Sequence, residues 1–393
     1  MKILYLTSRF PYPLEKGDKL RAYEFIKHLS KNHEIILFAL NETEVTQNQL
    51  AQLQPYCSQI HTEVISKINS YFNLIKNIIG YLPFSVVYFK RYSAQSKIDA
   101  LISEFQPDHI VCHLIRMSEY VKHIDKIPKT LDYMDAFGMG MSRLGERSSF
   151  PMSMFARMEQ KRLEWYEESI YEHFENHIII SEQDRQHITK TDGGHIHIVP
   201  NGVDLDYFNP AQVPAKKYDL LFAGNMNYPP NIETVLFIHD KVLPLLYKDF
   251  PDLKFVIAGD NPDARVKALA SGDGTNRVTV TGWVDDIRPY FYESKLLFAP
   301  MQISIGLQNK ILQAMAMQTP CVISNLANNA IHATHGVQAY VGSQPEEYAA
   351  HITKLLNSEA ERNNIANNAI KFVRENFDWR VIIQQFEKTI TPE

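Results

Sequence analysis

One stretch constrains the fold of this 393-residue chain most, the segment from Ala299 to Ser324. An apolar run stops at Pro300, a polar loop containing Gly306 follows, and apolar residues then recur with helical spacing until Pro320. A second apolar run then begins a new strand. Strand, glycine loop, helix and strand bring backbone N–H groups and a helix N-terminus against an anionic ligand. The stretch therefore predicts an α/β unit with an anion site.

Lys310 stands in the first turn of the predicted helix. The helix macrodipole disfavours a cation at that end. A lysine there is explained if it faces a phosphate, so we predict that Lys310 contacts one.

The same loop resembles a known family. It reads G-L-Q-N-K-I-L-Q-A-M-A-M from Gly306 to Met317. It is similar to the nucleotide-sugar site of retaining GT-B-fold glycosyltransferases of the Glu-x7-Glu family (glycosyltransferase family 4, group 1). The closest pattern is G-x-Q-N-K-x-L-E-A-M-A-M, from a sugar transferase branch associated with exopolysaccharide assembly. The two acidic positions of the wider family are Ile305 and Gln313 here.

The resemblance implies an α/β protein with two Rossmann-like domains facing across a cleft. Residues 1–198 would form the acceptor-side domain and 199–377 the nucleotide-sugar-binding domain, with a last helix at about 378–393 returning to the first. It also implies retaining transfer by same-face attack, without a cofactor or a metal ion. Asp204-Leu205-Asp206 looks like a metal-binding D-x-D but lies in the linker signature, so we predict a turn there.

Composition narrows the function classes. A net charge of −5 and a pI near 6.3 give no basic field for nucleic acid. Three widely spaced cysteines indicate a reducing compartment and no disulfide framework. No apolar run approaches about 18 residues, and the N-terminal run is too short for a signal peptide. We predict a cytoplasmic protein.

The N-terminal forty residues read as strand, glycine loop, helix and strand, a Rossmann-like opening without the G-x-G-x-x-G of dinucleotide sites. By the resemblance, Gly17 lets the donor approach the backbone; alternatively it only makes the turn. His113 ends a strand and matches a histidine that approaches the donor sugar, or it is structural. The predicted acceptor-side residues are Asp18, Arg21, Arg116 and Asp135. Asp135 would orient an acceptor hydroxyl or cap the next segment.

Residues 64–98 contain lysines, an arginine and seven aromatic residues but no acidic residue. This mixture suits the headgroup region of an anionic bilayer. By the resemblance, related enzymes dock on the inner membrane through this domain to reach lipid-linked glycan acceptors. The alternative is an ordinary helix pair with buried aromatics and solvated lysines.

In the second half, Gly224 follows a strand and matches a donor-site glycine. The family's arginine and lysine on the diphosphate are replaced by Asn225 and Pro230. Without a cation, the leaving diphosphate would lose several kcal/mol of stabilisation. Lys310 is the predicted substitute, and Arg9, Arg21 and Arg288 are suggested as helpers.

The remaining donor contacts follow from the resemblance. Trp283 would meet the nucleotide base or simply pack. Gln313 would hold the ribose at reduced strength, since an amide both donates and accepts. Gln308 and Asn309 open the helix against the diphosphate. With Ile305 in place of a carboxylate, the donor sugar is predicted to be a deoxy- or amino-sugar.

We therefore predict a retaining glycosyltransferase that uses a nucleoside-diphosphate sugar and a glycan or lipid-linked glycan acceptor. Two alternatives stay open. A catalytically inactive binding subunit would keep the fold without the missing carboxylates. A nucleotide-sugar epimerase would interconvert sugars without an acceptor.

Overall fold

The computed structural model describes residues 1–188, 195–210, 215–270, 276–303 and 306–391. The chain forms two compact units, Met1–Pro200 with Ile383–Glu393, and Asn201–Ile382. Each unit is built on one parallel sheet and has its own hydrophobic core. The first unit passes into the second between Pro200 and Asn201.

The sheet of the first unit has seven strands in the order β3-β2-β1-β4-β5-β6-β7. They are β1 Lys2–Thr7, β2 Glu34–Asn41, β3 Gln59–Val64, β4 His109–His113, β5 Lys129–Met134, β6 Asn176–Ile179 and β7 Ile196–Ile198. The central strands are near-continuous apolar runs, as expected for strands covered on both faces. The strand order reverses between β1 and β4, where Thr7 is in register with His113.

Eight helices belong to the same unit among the described residues. They are α1 Gly17–Leu29, α2 Gln47–Leu53, α3 Lys67–Lys76, α4 Phe84–Val87, α5 Tyr92–Phe105, α6 Phe137–Arg147, α7 Met152–Ser169 and α8 Glu182–Ile188. Short 3-10 helices cover Ile115–Tyr120 and Tyr171–His173. The longest of these helices, α7, ends at Ser169, and a 3-10 turn follows it at Tyr171–His173.

The second unit repeats the plan with six strands in the order β10-β9-β8-β11-β12-β13. They are β8 Tyr218–Ala223, β9 Phe255–Ala258, β10 Val278–Val280, β11 Ser294–Ala299, β12 Cys321–Ser324 and β13 Tyr340–Gly342. The helices are α9 Pro229–Phe237, α10 Leu243–Leu246, α11 Ala264–Leu269, α12 Arg288–Glu293, α13 Asn309–Ala316, α14 Asn325–Asn328, α15 Pro345–Asn357 and α16 Glu359–Asn376, with a π-helical segment at Ile238–Val242. Here the order reverses between β8 and β11.

The last helix, α17 Trp379–Ile390, begins in the second unit, and from Ile383 onward it belongs to the first. The Phe386 ring lies 5.1 Å from that of Phe25 on α1. Glu387 accepts hydrogen bonds from Asn32 and contacts the His33 ring, both at 3.0 Å. The prediction that the final helix returns to the first domain is confirmed.

Candidate functional site

The reversal of strand order in the first unit brings several predicted residues together. Ligands in open parallel sheets bind outside the carboxyl ends of the strands at such a point. His113 ends β4, and α1 begins beside it with Gly17 and Asp18. A Cβ added to Gly17 would lie 3.2 Å from the Met134 methyl group at the end of β5, so the chain passes closely there.

A buried network ties His113 to two other elements. Its Nδ1 lies 3.0 Å from Asp132 Oδ2, and its Nε2 lies 3.0 Å from the Asp18 carbonyl oxygen. Arg21 Nε donates to the same Asp132 oxygen at 2.7 Å, and its Nη1 donates to the Pro200 carbonyl at 3.2 Å. Both the Arg21 and the Asp132 side chains are completely buried.

The charge state of this network follows from its partners. Burial by itself raises the pKa of Asp132, but the neighbouring Arg21 guanidinium and His113 ring outweigh it and hold the pKa at about 2. The ionised carboxylate and the Asp18 carbonyl can only accept hydrogen bonds. Both ring nitrogens of His113 lie within hydrogen-bonding distance of these two acceptors, so neither is left for another partner.

A second ion pair lies beside this network. Arg9 Nη1 donates to Asp18 Oδ2 at 2.8 Å. Burial raises the pKa of Asp18, but the Arg9 guanidinium above all, with His113 and Arg116, lowers it overall. Arg9 and Arg21, two of the three suggested helpers for a diphosphate, are therefore already paired with carboxylates.

Asp135 follows β5 and differs from its neighbours. Its half-buried carboxyl group makes no hydrogen bond to any described residue. Burial first, and then the nearby carboxylate of Asp184, raise its pKa to about 7. Glu167, also buried, has its pKa raised to about 8 by burial and accepts hydrogen bonds from the first two amides of α6. Asp135 is thus a carboxyl group that can both donate and accept near neutral pH.

Asp135 makes no capping hydrogen bond to α6 among the described contacts, and Glu167 accepts from those amides instead. The capping interpretation of Asp135 is wrong, because a side chain from α7 occupies that position.

In the second unit, the residues after β8 meet the start of α13. Gly224 is left without room for a side chain, because an added Cβ would lie 2.8 Å from Asn231 Nδ2 and 3.3 Å from Lys310 Nζ. Gly259, after β9, is tighter still, with an added Cβ 1.8 Å from the Gly224 carbonyl oxygen. These two glycines let the strand ends and the Lys310 side chain approach one another.

Lys310 itself is buried, with 9% of its surface exposed. Its Nζ donates to Asn231 Oδ1 at 2.5 Å, lies 3.9 Å from Met301 Sδ and sits 4.3 Å from the centre of the Phe222 ring. No carboxylate lies within ion-pair distance among the described residues. Burial alone lowers the pKa of Lys310 to about 7. A phosphate would be its first charged partner.

The helix start that carries Lys310 has the features of an anion site. Gln308 occupies the N-cap without a side-chain capping bond, and no acidic residue lies in the first turn of α13. Asn309 Oδ1 is buried and has no hydrogen-bond partner among the described residues. Gly306 has a φ of +64°, which glycine adopts without strain. Gln313, the predicted ribose contact, is half-buried. Ile305 lies outside the described residues.

The remaining predicted donor residues are dispersed around this centre. Asn225 uses its carbonyl to accept from Asn231 Nδ2 at 2.9 Å and its Oδ1 to accept from the Asn227 amide at 2.9 Å. Trp283 is 66% exposed, so the interpretation as a packing residue is wrong. Arg288, the third suggested helper, is bound to Asp286 at 2.7 Å.

Among the described residues, no three His, Cys, Asp or Glu side chains converge on a point where a metal ion could bind. Asp204 Oδ1 accepts from the amides of Asp206 and Tyr207, both at 3.0 Å. The first aspartate of the D-x-D therefore builds the predicted turn.

The aromatic segment 64–98 divides into an exposed and a buried part. Exposed apolar side chains on α3 and the following loop are Ile68, Tyr71, Phe72, Ile75, Ile78, Ile79 and Tyr81, whereas Phe89 is buried. Three lysines of the segment pair with acidic residues elsewhere: Lys67 with Glu42, Lys90 with Glu119, and Lys97 with Glu63. In the described parts of the chain, no helix is long and apolar enough to cross a bilayer. The alternative of buried aromatics fails for α3.

Two family models match the chain in succession. Residues 20–207 match the model described as Glycosyltransferase Family 4, and residues 217–358 match Glycosyl transferases group 1. The chain is a glycosyltransferase of the group 1/family 4 type. The boundary between the matches agrees with the boundary between the two units.

Relatives and solved structures agree with this assignment. An uncharacterised 44.6 kDa protein in the cps region of Klebsiella pneumoniae is 24% identical over 98% of this glycosyltransferase and 99% of that protein. An Escherichia coli UDP-Gal:alpha-D-GlcNAc-diphosphoundecaprenol alpha-1,3-galactosyltransferase is 26% identical over 34% of this chain and 38% of its own length.

Among structures, Anabaena HepE in complex with UDP aligns at a TM-score of 0.69 and 15% identity over 99% of both chains. WaaG, a glycosyltransferase involved in lipopolysaccharide biosynthesis, aligns at a TM-score of 0.65 and 12% identity over the full length of both. These likenesses confirm the predicted GT-B α/β fold.

Sequence reasoning missed several residues of the two centres. Asp132 lies within the buried strand β5 and had no predicted role. Its register with His113 in the neighbouring strand shows how its carboxylate reaches both His113 and Arg21. Asn231 and Phe222 contact Lys310 from a different part of the chain. The glycine at position 224 was the one local signal of this close approach.

Proposed function

We propose that this glycosyltransferase moves a sugar, with retention, from a nucleoside-diphosphate sugar to an acceptor hydroxyl without a metal ion. The observation that carries the proposal is the buried Lys310, which lacks a charged partner among the described residues. A lysine in this state gains most from a dianionic leaving group. The helix start at Gln308 and Asn309 would add backbone and amide donors to the same diphosphate.

The other predicted residues take supporting roles in this proposal. Gln313 would hold the ribose and Trp283 would stack against or border the base. His113, with both ring nitrogens engaged, would position the acceptor side rather than move a proton. Asp135 would hold the acceptor hydroxyl, and the departing phosphate oxygen would take its proton.

Calorimetric titration with UDP, GDP, TDP and CMP tests the donor site on wild type, Lys310→Ala and Lys267→Ala. Lys267 is an exposed lysine on α11 and serves as the matched control. Loss of Lys310 is expected to weaken the preferred diphosphate by about 1.5–3 kcal/mol, because a charge-assisted contact is lost. Binding of none of the four would sink the donor assignment.

The reaction itself is tested with the matching nucleotide sugar and a panel of acceptors. NMR of the product gives the anomeric configuration, and assays in EDTA test metal independence. Donor binding without transfer to any acceptor would favour the inactive binding subunit. Interconversion of the donor sugar without an acceptor would favour the epimerase. Preference for UDP-glucose over deoxy- and amino-sugar donors would contradict the sugar prediction made from Ile305.

We further propose that the protein acts in bacterial surface-polysaccharide assembly, on the cytoplasmic face of the inner membrane. The cps-region relative and the diphosphoundecaprenol acceptor in the name of the E. coli relative support this. The exposed aromatic and aliphatic side chains of α3 and its loop would enter the headgroup layer.

Co-sedimentation with vesicles of mixed neutral and anionic lipids tests the membrane contact. Phe72 and Ile79 are 60% and 93% exposed, so replacing both with serine should not disturb the core. The double variant is expected to lose most vesicle binding. Val337→Ser, at an exposed position of the second unit, is the control. Equal sedimentation of wild type and double variant would contradict the proposal.

A further inference from the structure

Arg116 lies on the 3-10 helix that follows β4. Leu114, the residue before this helix, has a backbone φ of +70°, which residues other than glycine rarely adopt. The Arg116 guanidinium carbon sits 5.2 Å from the centre of the Phe89 ring and 5.0 Å from that of Phe137. Two aromatic rings therefore hold the guanidinium in place.

Within the part of the chain that the structure describes, Arg116 makes no hydrogen bond and no ion pair. Its Nε is buried without a partner, although the residue as a whole is half-buried. Burial first, and then the nearby Arg9, lower its pKa to about 10, which leaves it charged at neutral pH.

Several other cations of the first unit pair with carboxylates. Arg21 binds Asp132, and Lys90 binds Glu119. Arg9 pairs with the carboxylate of Asp18, which is also the acidic group that raises the pKa of Arg116. Two guanidinium groups thus share one carboxylate, and one positive charge is left over. Desolvating an unpaired guanidinium costs free energy unless an anion completes the site.

We propose that Arg116 receives an anionic group of the acceptor, a phosphate or a carboxylate, and so selects charged acceptors. The inference rests on the proposed transferase function and names the acceptor class. The planar fork of a guanidinium matches both anions with two parallel hydrogen bonds. Phe137, which holds Arg116, comes two residues after Asp135, so the anion would lie beside the carboxyl group proposed for the acceptor hydroxyl.

Three ligands that share a pyranose ring test the proposal by NMR titration of the full chain. They are glucose 1-phosphate, methyl glucuronide and methyl glucoside. Wild type is expected to bind one of the two anionic ligands at least about tenfold more tightly than the neutral one. Arg116→Met keeps the apolar stem between the rings and is expected to remove that preference, a loss of about 10- to 100-fold.

Two further variants test whether the preference for anionic ligands depends on the Arg116 guanidinium itself or on positive charge in general. Arg116→Lys keeps the charge without the fork and is expected to retain part of the preference. Arg157→Met, at an exposed position of α7, is expected to retain all of it. Whichever anionic ligand is preferred identifies the group as phosphate or carboxylate. Equal binding of all three ligands, including no binding, would overturn the proposal, as would an unchanged preference in Arg116→Met.

Repeating the series on Lys310→Ala weakens any contribution from the diphosphate site of the second unit, so a preference that belongs to Arg116 should persist in that variant. The nucleotide titrations on wild type remain a separate measurement. If nucleotides bind but the anionic preference is absent, the acceptor inference alone fails. If no nucleotide binds, the transferase proposal fails on its own evidence.

Discussion

At the centre of the first unit, Arg21 and His113 share the carboxylate of Asp132, whereas at the centre of the second unit Lys310 meets only neutral groups. Both centres lie where the strand order of a parallel sheet reverses. The first is internally neutralised and the second has an excess positive charge.

This difference separates two uses of buried charge. A neutralised network gains nothing from an added anion, so Asp132 and Arg21 hold β5 and α1 in register and fix the His113 ring. An unpaired lysine is costly in the free protein, and a ligand that neutralises it recovers that cost. The comparison therefore predicts that substitutions at the first centre damage stability, whereas those at the second improve stability and damage binding.

The largest effect is expected from Asp132→Ala. It leaves the buried Arg21 guanidinium without its carboxylate, and loss of one partner of a buried pair typically costs about 3–5 kcal/mol. Urea denaturation measures the change. The double variant Asp132→Ala/Arg21→Met removes both charges and should recover part of the loss. If the free energy of unfolding of Asp132→Ala lies within about 1 kcal/mol of the wild-type value, the stabilising role assigned to the first centre is wrong.

Lys310→Met is expected to act in the opposite direction. It replaces a buried, unpaired cation with an apolar side chain of similar length, so the ligand-free protein should gain roughly 1–3 kcal/mol at pH 7. Lys267→Met provides the control and should stay within about 0.5 kcal/mol of wild type. Thermal unfolding without nucleotide compares the three proteins. Destabilisation by Lys310→Met would mean that Lys310 is a structural residue.

Binding of a diphosphate should be linked to proton uptake at Lys310. The free protein has a Lys310 pKa of about 7, and a bound anion raises it because it favours the charged amine. Above pH 7 binding therefore takes up a proton, and affinity should fall by up to about tenfold per pH unit. Calorimetry in buffers of different ionisation enthalpy detects the proton. Lys310→Ala should show a flatter profile, and a flat wild-type profile would contradict the linkage.

The smallest effect is expected at Asp135. Its pKa is raised to about 7 in the folded protein, so the folded state binds more protons than the unfolded state between about pH 4 and pH 7. The stability that Asp135 contributes at low pH is therefore lost as pH rises through 7. Asp135→Asn should gain about 1 kcal/mol relative to wild type at pH 8 and less at pH 5, allowing for its partial exposure. Equal differences at both pH values would contradict the assignment.

Much of the fold could be predicted from local patterns. The buried strands read as apolar runs, and the Gly306–Met317 loop identified the strand–loop–helix unit around Lys310. The last helix, expected from the resemblance at about residues 378–393, covers Trp379–Ile390. The pairing of Arg21 and Arg9 with carboxylates could not be predicted in the same way, because the partners lie 111 and 9 residues apart and only the folded chain brings them together.

The sequence by itself determined the two parallel α/β sheets, the positions of His113 and Gly224 at strand ends and the family of the chain. These features depend on periodicity and short motifs, which act over a few residues. Only the tertiary structure decided which charges are neutralised. Arg21, Arg116 and Lys310 are all isolated cations in the sequence. In the structure Arg21 pairs with Asp132, whereas Arg116 and Lys310 have no carboxylate within ion-pair distance among the described residues. Coulomb energies depend on distances across the fold and on burial, and neither is written in local sequence.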